Sequence, residues 1–216
     1  ELPERSRVEY KFEVVDGGFT RSGTLEEWRR GLPSFVPITT CASGTNCWKT
    51  DLDNLYENSS IQDLLSPSIP LAGLTGPVVV SWAQRYHVES ASFDHWNVTA
   101  REVGNPTNAV NLFEWLGATM NNTVGTPAVT IAESAGWAVQ SRTIDFLAGL
   151  NAELLFHLDS DSSVPLVGAA IDDVSVTACE PIPVPTITLA KTVGLVAAAC
   201  GVDETLTVPF GTLVTY

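Results

Sequence analysis

The residues best placed to do chemistry are carboxylates near strand ends. Glu13 directly follows Phe12, Asp51 and Asp53 stand two apart with Asn54 next, and Asp172 opens the run Asp172-Asp173-Val174-Ser175-Val176. Val174 and Val176 alternate with Ser175 and Thr177, so a period of two puts Asp172 on the inward side of that strand, at its rim. A carboxylate there is costly to bury unless it is paired or bound to a metal. Calcium takes roughly six to eight oxygens, several from carboxylates and the rest from carbonyls. Glu13, Asp51, Asp53 and Asp172 are therefore the candidate ligands and calcium the candidate ion. The alternative is that Asp172 and Asp173 cap turns or accept from backbone amides.

Cysteines and aromatics are the next chemical handles. Cys41 and Cys47 bracket Ala-Ser-Gly-Thr-Asn. That spacing suits a small loop disulfide, which would imply an oxidising compartment. Cys179 and Cys200 are left open: they pair with each other, or Cys200 pairs outside this chain. Trp82 and Trp96 fall on the alternating face of strand-like runs and read as core. Trp28, Trp48, Trp115 and Trp137 lie in irregular contexts, where they either present faces to sugar rings or plug the ends of the fold.

Enzyme signatures are missing. The three histidines, His87, His95 and His157, do not form a His-Glu-x-x-His metal box, and no Gly-x-Ser-x-Gly elbow occurs. The histidines alternate with apolar positions and read as exposed strand faces. Glu89 and Asp94, on either side of Ser90-Ala91-Ser92, imitate a glycosidase carboxylate pair, but such pairs arise freely in an acidic chain. The expectation is a non-catalytic protein.

Charge excludes other classes. Among 216 residues, 25 Asp and Glu face 11 Lys and Arg, for a net charge of -14. Nucleic-acid surfaces need clustered bases, and anionic membranes repel such a chain. No apolar run is long enough for a spanning helix, so membrane insertion is not expected. Glu1-Leu2-Pro3-Glu4-Arg5 is not a signal peptide, although a processed start could have lost one. Asn58-Ser-Ser, Asn97-Val-Thr and Asn121-Asn-Thr match the glycosylation sequon, at a frequency chance accounts for in a chain this rich in Ser and Thr.

The elements that must position these groups read mostly as strands. Val78, Val80 and Trp82 alternate with Val79, Ser81 and Ala83. Trp96 and Val98 follow Asp94 at the same period, and Leu154, Phe156 and Leu158 alternate with polar neighbours. Turn-rich pieces separate them, among them Asp16-Gly17-Gly18 and Gly104-Asn105-Pro106. One short helix is predicted at Thr24–Arg30, with Thr24 as N-cap and Glu27 completing a capping box. Many short strands with little helix predict an all-β, antiparallel jelly-roll sandwich over residues 1–179. A Pro-rich linker follows at 180–185, then a β-strand tail at 186–216 that is too small to bury a core alone.

Several pieces, read in order, resemble one family. They are Phe12-Glu13 with Asp16-Gly17-Gly18-Phe19, Trp28 with Gly31-Leu32-Pro33, and Cys47-Trp48-Lys49-Thr50-Asp51-Leu52. Later come Val79-Val80-Ser81-Trp82, Phe93-Asp94, Gly136-Trp137, Ile144-Asp145-Phe146, and Ile171-Asp172-Asp173-Val174. The set is similar to the MAM-like jelly-roll module found beside secreted bacterial peptidases, as in the immune inhibitor A group. That resemblance implies a calcium-stabilised β-sandwich that is not itself catalytic. It also makes the first and last strands neighbours, which would let Glu13, Asp51, Asp53 and Asp172 converge. The tail resembles the opening strands of an Ig-like repeat of bacterial surface proteins. The expected role is a secreted or cell-surface module for adhesion or assembly, with other domains or copies of the same protein, and glycans, as partners. A filament subunit joined by C-terminal strand addition and a carbohydrate-binding module are the competing readings.

Overall fold

The computed structural model describes residues 5–89, 91–114, 122–124, 129–131, 136–179, 187–191 and 204–208. The chain divides into two compact units, Glu1–Glu180 and Pro181–Tyr216. In the first unit the strands run β1 (Arg5–Tyr10), β2 (Thr20–Ser22), β3 (Trp28–Gly31), β4 (Cys47–Thr50), β5 (Ile61–Leu65), β6 (Ile69–Pro70) and β7 (Thr75–His87). They continue as β8 (His95–Glu102), β9 (Asn105–Glu114), β10 (Asn122–Val124), β11 (Val129–Ile131), β12 (Ala138–Thr143), β13 (Asn151–Asp159) and β14 (Gly168–Cys179). The second unit contains an antiparallel pair, β15 (Ile187–Lys191) and β16 (Glu204–Val208).

Two antiparallel sheets make the first unit a β-sandwich. One sheet has the order β12-β7-β14-β4-β3, with β1 also on β14; the other has the order β2-β5-β13-β8-β9, with β6 on β13. The last strand is the organiser of the first sheet. β7 lies along one edge of β14, while β4 takes Ala170–Ile171 and β1 takes Val174–Cys179 on the other. The first and last strands are therefore neighbours.

Period-two patterning sets the core. Val78, Val80 and Trp82 of β7 face Trp96 and Val98 of β8 and Leu154, Phe156 and Leu158 of β13 across the interior, and all are fully buried. Each such side chain contributes roughly 1.5–3 kcal/mol when removed from water. His95 is exposed, and His87 and His157 are partly exposed on the outward faces, with His157 Nδ1 2.6 Å from Asp63 Oδ1.

The helix expected at Thr24–Arg30 does not form. Trp28 opens β3 and pairs with Thr50, and its indole Nε1 donates to the Gln62 carbonyl at 3.1 Å. The Glu27 amide, which a capping box would satisfy, donates instead to Gln62 Oε1 at 2.7 Å. A helix of under two turns is marginal by itself, so an edge ladder that also buries Trp28 prevails. The single helical turn among the described residues is a 3-10 turn at Asp145–Leu147.

Candidate cation site

Glu13 and Asp172 converge under the Cys41–Cys47 loop. The two cysteines form a disulfide with their Cα atoms 5.5 Å apart. The loop between them points its amides at both carboxylates. Ser43 N donates to Asp172 Oδ2 at 2.9 Å, and Thr45 N donates to Glu13 Oε2 at 3.0 Å. Asn46 N reaches Glu13 Oε1 at 3.4 Å, and Ser43 Oγ donates to Asp173 Oδ1 at 2.9 Å. Gly44, at the loop tip, has φ +54°, and a Cβ there would lie 2.0 Å from Glu13 Oε1. A side chain at this position would push the Glu13 carboxylate away from the loop. Phe12, next to Glu13, is buried in the core, edge-on to Phe19 and Trp48.

Asp172 reaches this place because the strand is out of phase. The register on β7 shifts between Asp172 and Ser175, and Asp173 has φ +47°. One extra residue at such a bulge inverts the alternation. Ala169 and Ile171 face the main core before the bulge, and Val174 and Val176 face it after. Asp172 shares the phase of Ala170, which packs with Ile38 and Val167 in a separate outer cluster. The expected inward position is thus corrected: Asp172 is fully buried, but beneath the disulfide loop on the outer face of its sheet.

Burial and the loop amides act on these carboxyls in opposite directions. Burial pushes the Asp172 carboxyl above its ordinary value; the Ser43 and Asp173 amides offset this in part, and the charges of Asp173 and Glu13 add to the rise. The Thr45 amide is the main group holding Glu13 below its ordinary value. Three carboxylates, Glu13, Asp172 and Asp173, therefore share one loop with partners that are all amides or hydroxyls. Each Glu13 oxygen accepts two of these bonds, from Thr45 N and Asn46 N on Oε1 and from Thr45 N and Thr45 Oγ1 on Oε2.

Asp51 and Asp53 do not join them. They lie past the far end of β4, whose first residue Cys47 closes the disulfide loop. Four strand residues span about 13 Å, too far for one ion to be shared. At that end a cation is already present. Lys49 is fully buried, and its Nζ donates to the carbonyls of Thr50, at 2.8 Å, and Asp51. Asp51, Glu27 and Asp53 surround the ammonium, yet desolvation dominates and lowers the Lys49 pKa to about 8.

The sign of the pH effect follows. Folded, Lys49 titrates at about 8; unfolded, it returns to 10.5. Between these values the unfolded chain holds more protons, so this group makes the fold more stable as pH rises through the window. The gap in unfolding free energy between wild type and Lys49→Met is expected to move in favour of wild type by on the order of 1–3 kcal/mol across it. Denaturant titrations at the two ends of the window measure this, and a constant gap would contradict a buried ammonium.

Another carboxylate group emerges that the sequence showed only in pieces. Glu89, Asp94 and Asp161 bring ligand oxygens within 4.8 Å of one another. The pairing of His95 with Asp159 draws the loop ends together. Tyr56 Oη donates to Asp94 Oδ2, and Asp161 N donates to Asp94 Oδ1 at 2.8 Å. Burial, then the Asp94 carboxylate, keeps the Tyr56 phenol protonated well above its ordinary range. Asp94 is fully buried, which removes it from the reach of a polysaccharide.

The tryptophans expected to offer sugar-stacking faces sit otherwise. Trp28 is fully buried and Trp48 is 4% exposed, so neither presents a ring face. Trp137 is partly buried against the Ile38–Val167–Ala170 cluster and donates to the Thr40 carbonyl at 2.9 Å, which ties down the chain just before Cys41. Trp115 lies outside the described residues. Trp28 and Trp48 are instead members of the main core.

No family model matches this chain. Over 163 residues it is 29% identical to bacillopeptidase F of Bacillus subtilis (strain 168), a match covering 76% of this chain and 10% of that protein. The chain thus spans about a tenth of the curated relative it matches. Among solved structures, it is similar to the K3 cleaved adhesin domain of Lys-gingipain from Porphyromonas gingivalis w83. That likeness has a TM-score of 0.49 and 16% identity over 81% of this chain and 99% of the other. A xylan-binding domain from Paenibacillus barcinonensis gives a TM-score of 0.45 and 13% identity over 81% and 95% of the two chains.

Proposed function

We propose that the sandwich is a non-catalytic, extracellular adhesive module of a secreted or cell-surface protein, stabilised by calcium held at Glu13 and Asp172. The observation that carries this reading is the disulfide loop folded over one carboxylate that follows the first strand of the sandwich and another from its last strand. A divalent ion there would tie the segment after β1, the last strand and the loop into one piece. The disulfide supports an oxidising compartment. The share of bacillopeptidase F that matches suits a module carried within a larger chain. The test is melting in calcium against melting in chelator: a rise in calcium supports the reading, and an unchanged midpoint contradicts it.

Assembly through the C-terminal unit is the second reading. Its support is that β15 and β16 pair only with each other among the described residues, within the second compact unit. A two-stranded sheet is marginal in water and leaves open edges for strand addition. Truncation after Cys179 is expected to leave the sandwich melting within a few degrees of the full chain while abolishing self-association in light scattering. Unfolding of the truncated protein, or association that survives truncation, would contradict this.

A further inference from the structure

Positive charge is scarce on this chain, yet it gathers in one groove. Three of its eleven Lys and Arg residues, Arg21, Arg29 and Arg30, line an open groove of about 600 Å³ together with Asp16, Phe19 and Trp48. Arg21 comes from β2 and Arg29 and Arg30 from β3, which are edge strands of the two different sheets. The groove therefore lies where edge strands of the two sheets come side by side.

The guanidiniums are incompletely neutralised. Glu26 serves two of them, at 3.8 Å from Arg21 and 3.5 Å from Arg29, and Arg30 makes no ion pair among the described residues. Asp16 turns Oδ1 toward the Gly18 amide at 2.9 Å. Each guanidinium is also anchored. Nη1 of Arg21 and of Arg29 donates to the Trp28 carbonyl at 2.8 Å, and Nη1 of Arg30 donates to the Phe12 carbonyl at 2.7 Å. With five N–H donors each, the three side chains retain donors for a ligand, and their anchored positions reduce the ordering cost of binding.

We propose that this groove binds an acidic glycan, a saccharide bearing uronate carboxylates or sulfate esters. Guanidinium forks match planar or tetrahedral oxyanions with paired hydrogen bonds, which neutral sugars do not offer. The volume lies in the range of clefts that take small ligands. An acidic peptide would dock on such an edge by adding a strand, but β2 and β3 have three and four residues, too few for a ladder. Phe19 and Trp48, 5% and 4% exposed, form a firm apolar floor rather than stacking faces. With a net charge of -14 on the whole chain, a polyanion is repelled elsewhere, so binding centres on the groove and weakens with salt. The proposal gives the adhesive reading its ligand class and rests on that reading, but not on the cation site.

Calorimetric titration of the full chain tests it, with oligogalacturonate, a sulfated oligosaccharide, a neutral galacto-oligosaccharide and polyglutamate as probes. At least one acidic saccharide is expected to bind, at low salt more tightly than at high salt. Binding is expected to fall roughly tenfold or more in Arg29→Gln and in Arg21→Gln and to be unchanged in Arg85→Gln. Arg29→Lys keeps the charge and loses the fork, and an intermediate loss is expected. The proposal is overturned if neither acidic saccharide binds, if the arginine variants bind as wild type does while melting normally, or if polyglutamate binds equally well. Neutral-sugar binding indifferent to the arginines would overturn the groove and leave the adhesive reading standing. Failure of every saccharide, with self-assembly retained, would overturn both.

Discussion

Asp172→Asn is expected to melt at or above the wild-type temperature in chelator and to gain nothing from calcium. Without a metal, the ionised Asp172 carboxylate is buried and its pKa is raised by that burial, so its charge works against the fold at neutral pH. An amide of the same shape removes the charge and retains an acceptor for one of the Ser43 and Asp173 amides. Calcium reverses the balance in the wild type. At a hundredfold excess over the dissociation constant it adds about 2.7 kcal/mol, or about 5–10 °C for a domain of this size. The pH dependence has a definite sign. Because the folded pKa of Asp172 lies above the unfolded one, the metal-free fold loses stability as pH rises through that interval. The calcium increment does the opposite: it is full at neutral pH and disappears as acid protonates Asp172. Scanning calorimetry over a pH series, with and without calcium, reads both. An increment that persists in Asp172→Asn would remove this residue from the site.

The double variant Cys41→Ser/Cys47→Ser is expected to lose twice. Opening a loop of six residues' separation releases the unfolded chain by about 2–3 kcal/mol, a drop of several degrees. A further loss is specific to this fold. The amides of Ser43, Thr45 and Asn46 hold Asp172 and Glu13 only while the loop keeps its shape. The calcium increment should therefore shrink beyond what lower stability explains, with a weaker apparent affinity. Asp51→Asn is the matched control and should leave the increment whole, since Asp51 sits beside Lys49 at the other end of β4. A disulfide-free protein with an undiminished calcium response would show that the loop closes the chain without organising the carboxylates.

Much of the architecture was legible because its signals are local and repeated. Leu154, Phe156 and Leu158 alternate with polar residues in a strand that has one face on the core, and period two says so directly. The family resemblance implied that the first and last strands of the sandwich are neighbours, and β1 pairs with β14. What failed depended on single residues or distant partners. The bulge at Asp172–Asp173 is one extra residue, and it reverses the face of every position before it. The capping-box pattern at Thr24–Glu27 is real as a local signal, but Gln62 on β5 supplies what the cap would have supplied. Asp51 and Asp53 could not be separated from Glu13 without the length of β4. The buried Lys49 was missed because a Lys within Cys47-Trp48-Lys49-Thr50 reads as a solvated strand position, whereas the whole strand is covered. The arginine groove has no sequence signature, since Arg21 and Arg29 meet only where two sheets end side by side.

The most direct test of the cation site is a calcium titration of the folded chain by calorimetry, in the wild type and in four single variants. The expected result is saturable binding that is lost in Glu13→Gln and Asp172→Asn and preserved in Asp51→Asn and Asp53→Asn, each variant first shown to melt cooperatively. Binding that survives the first two substitutions, or that disappears with the last two, would contradict the placement of the ion under the disulfide loop.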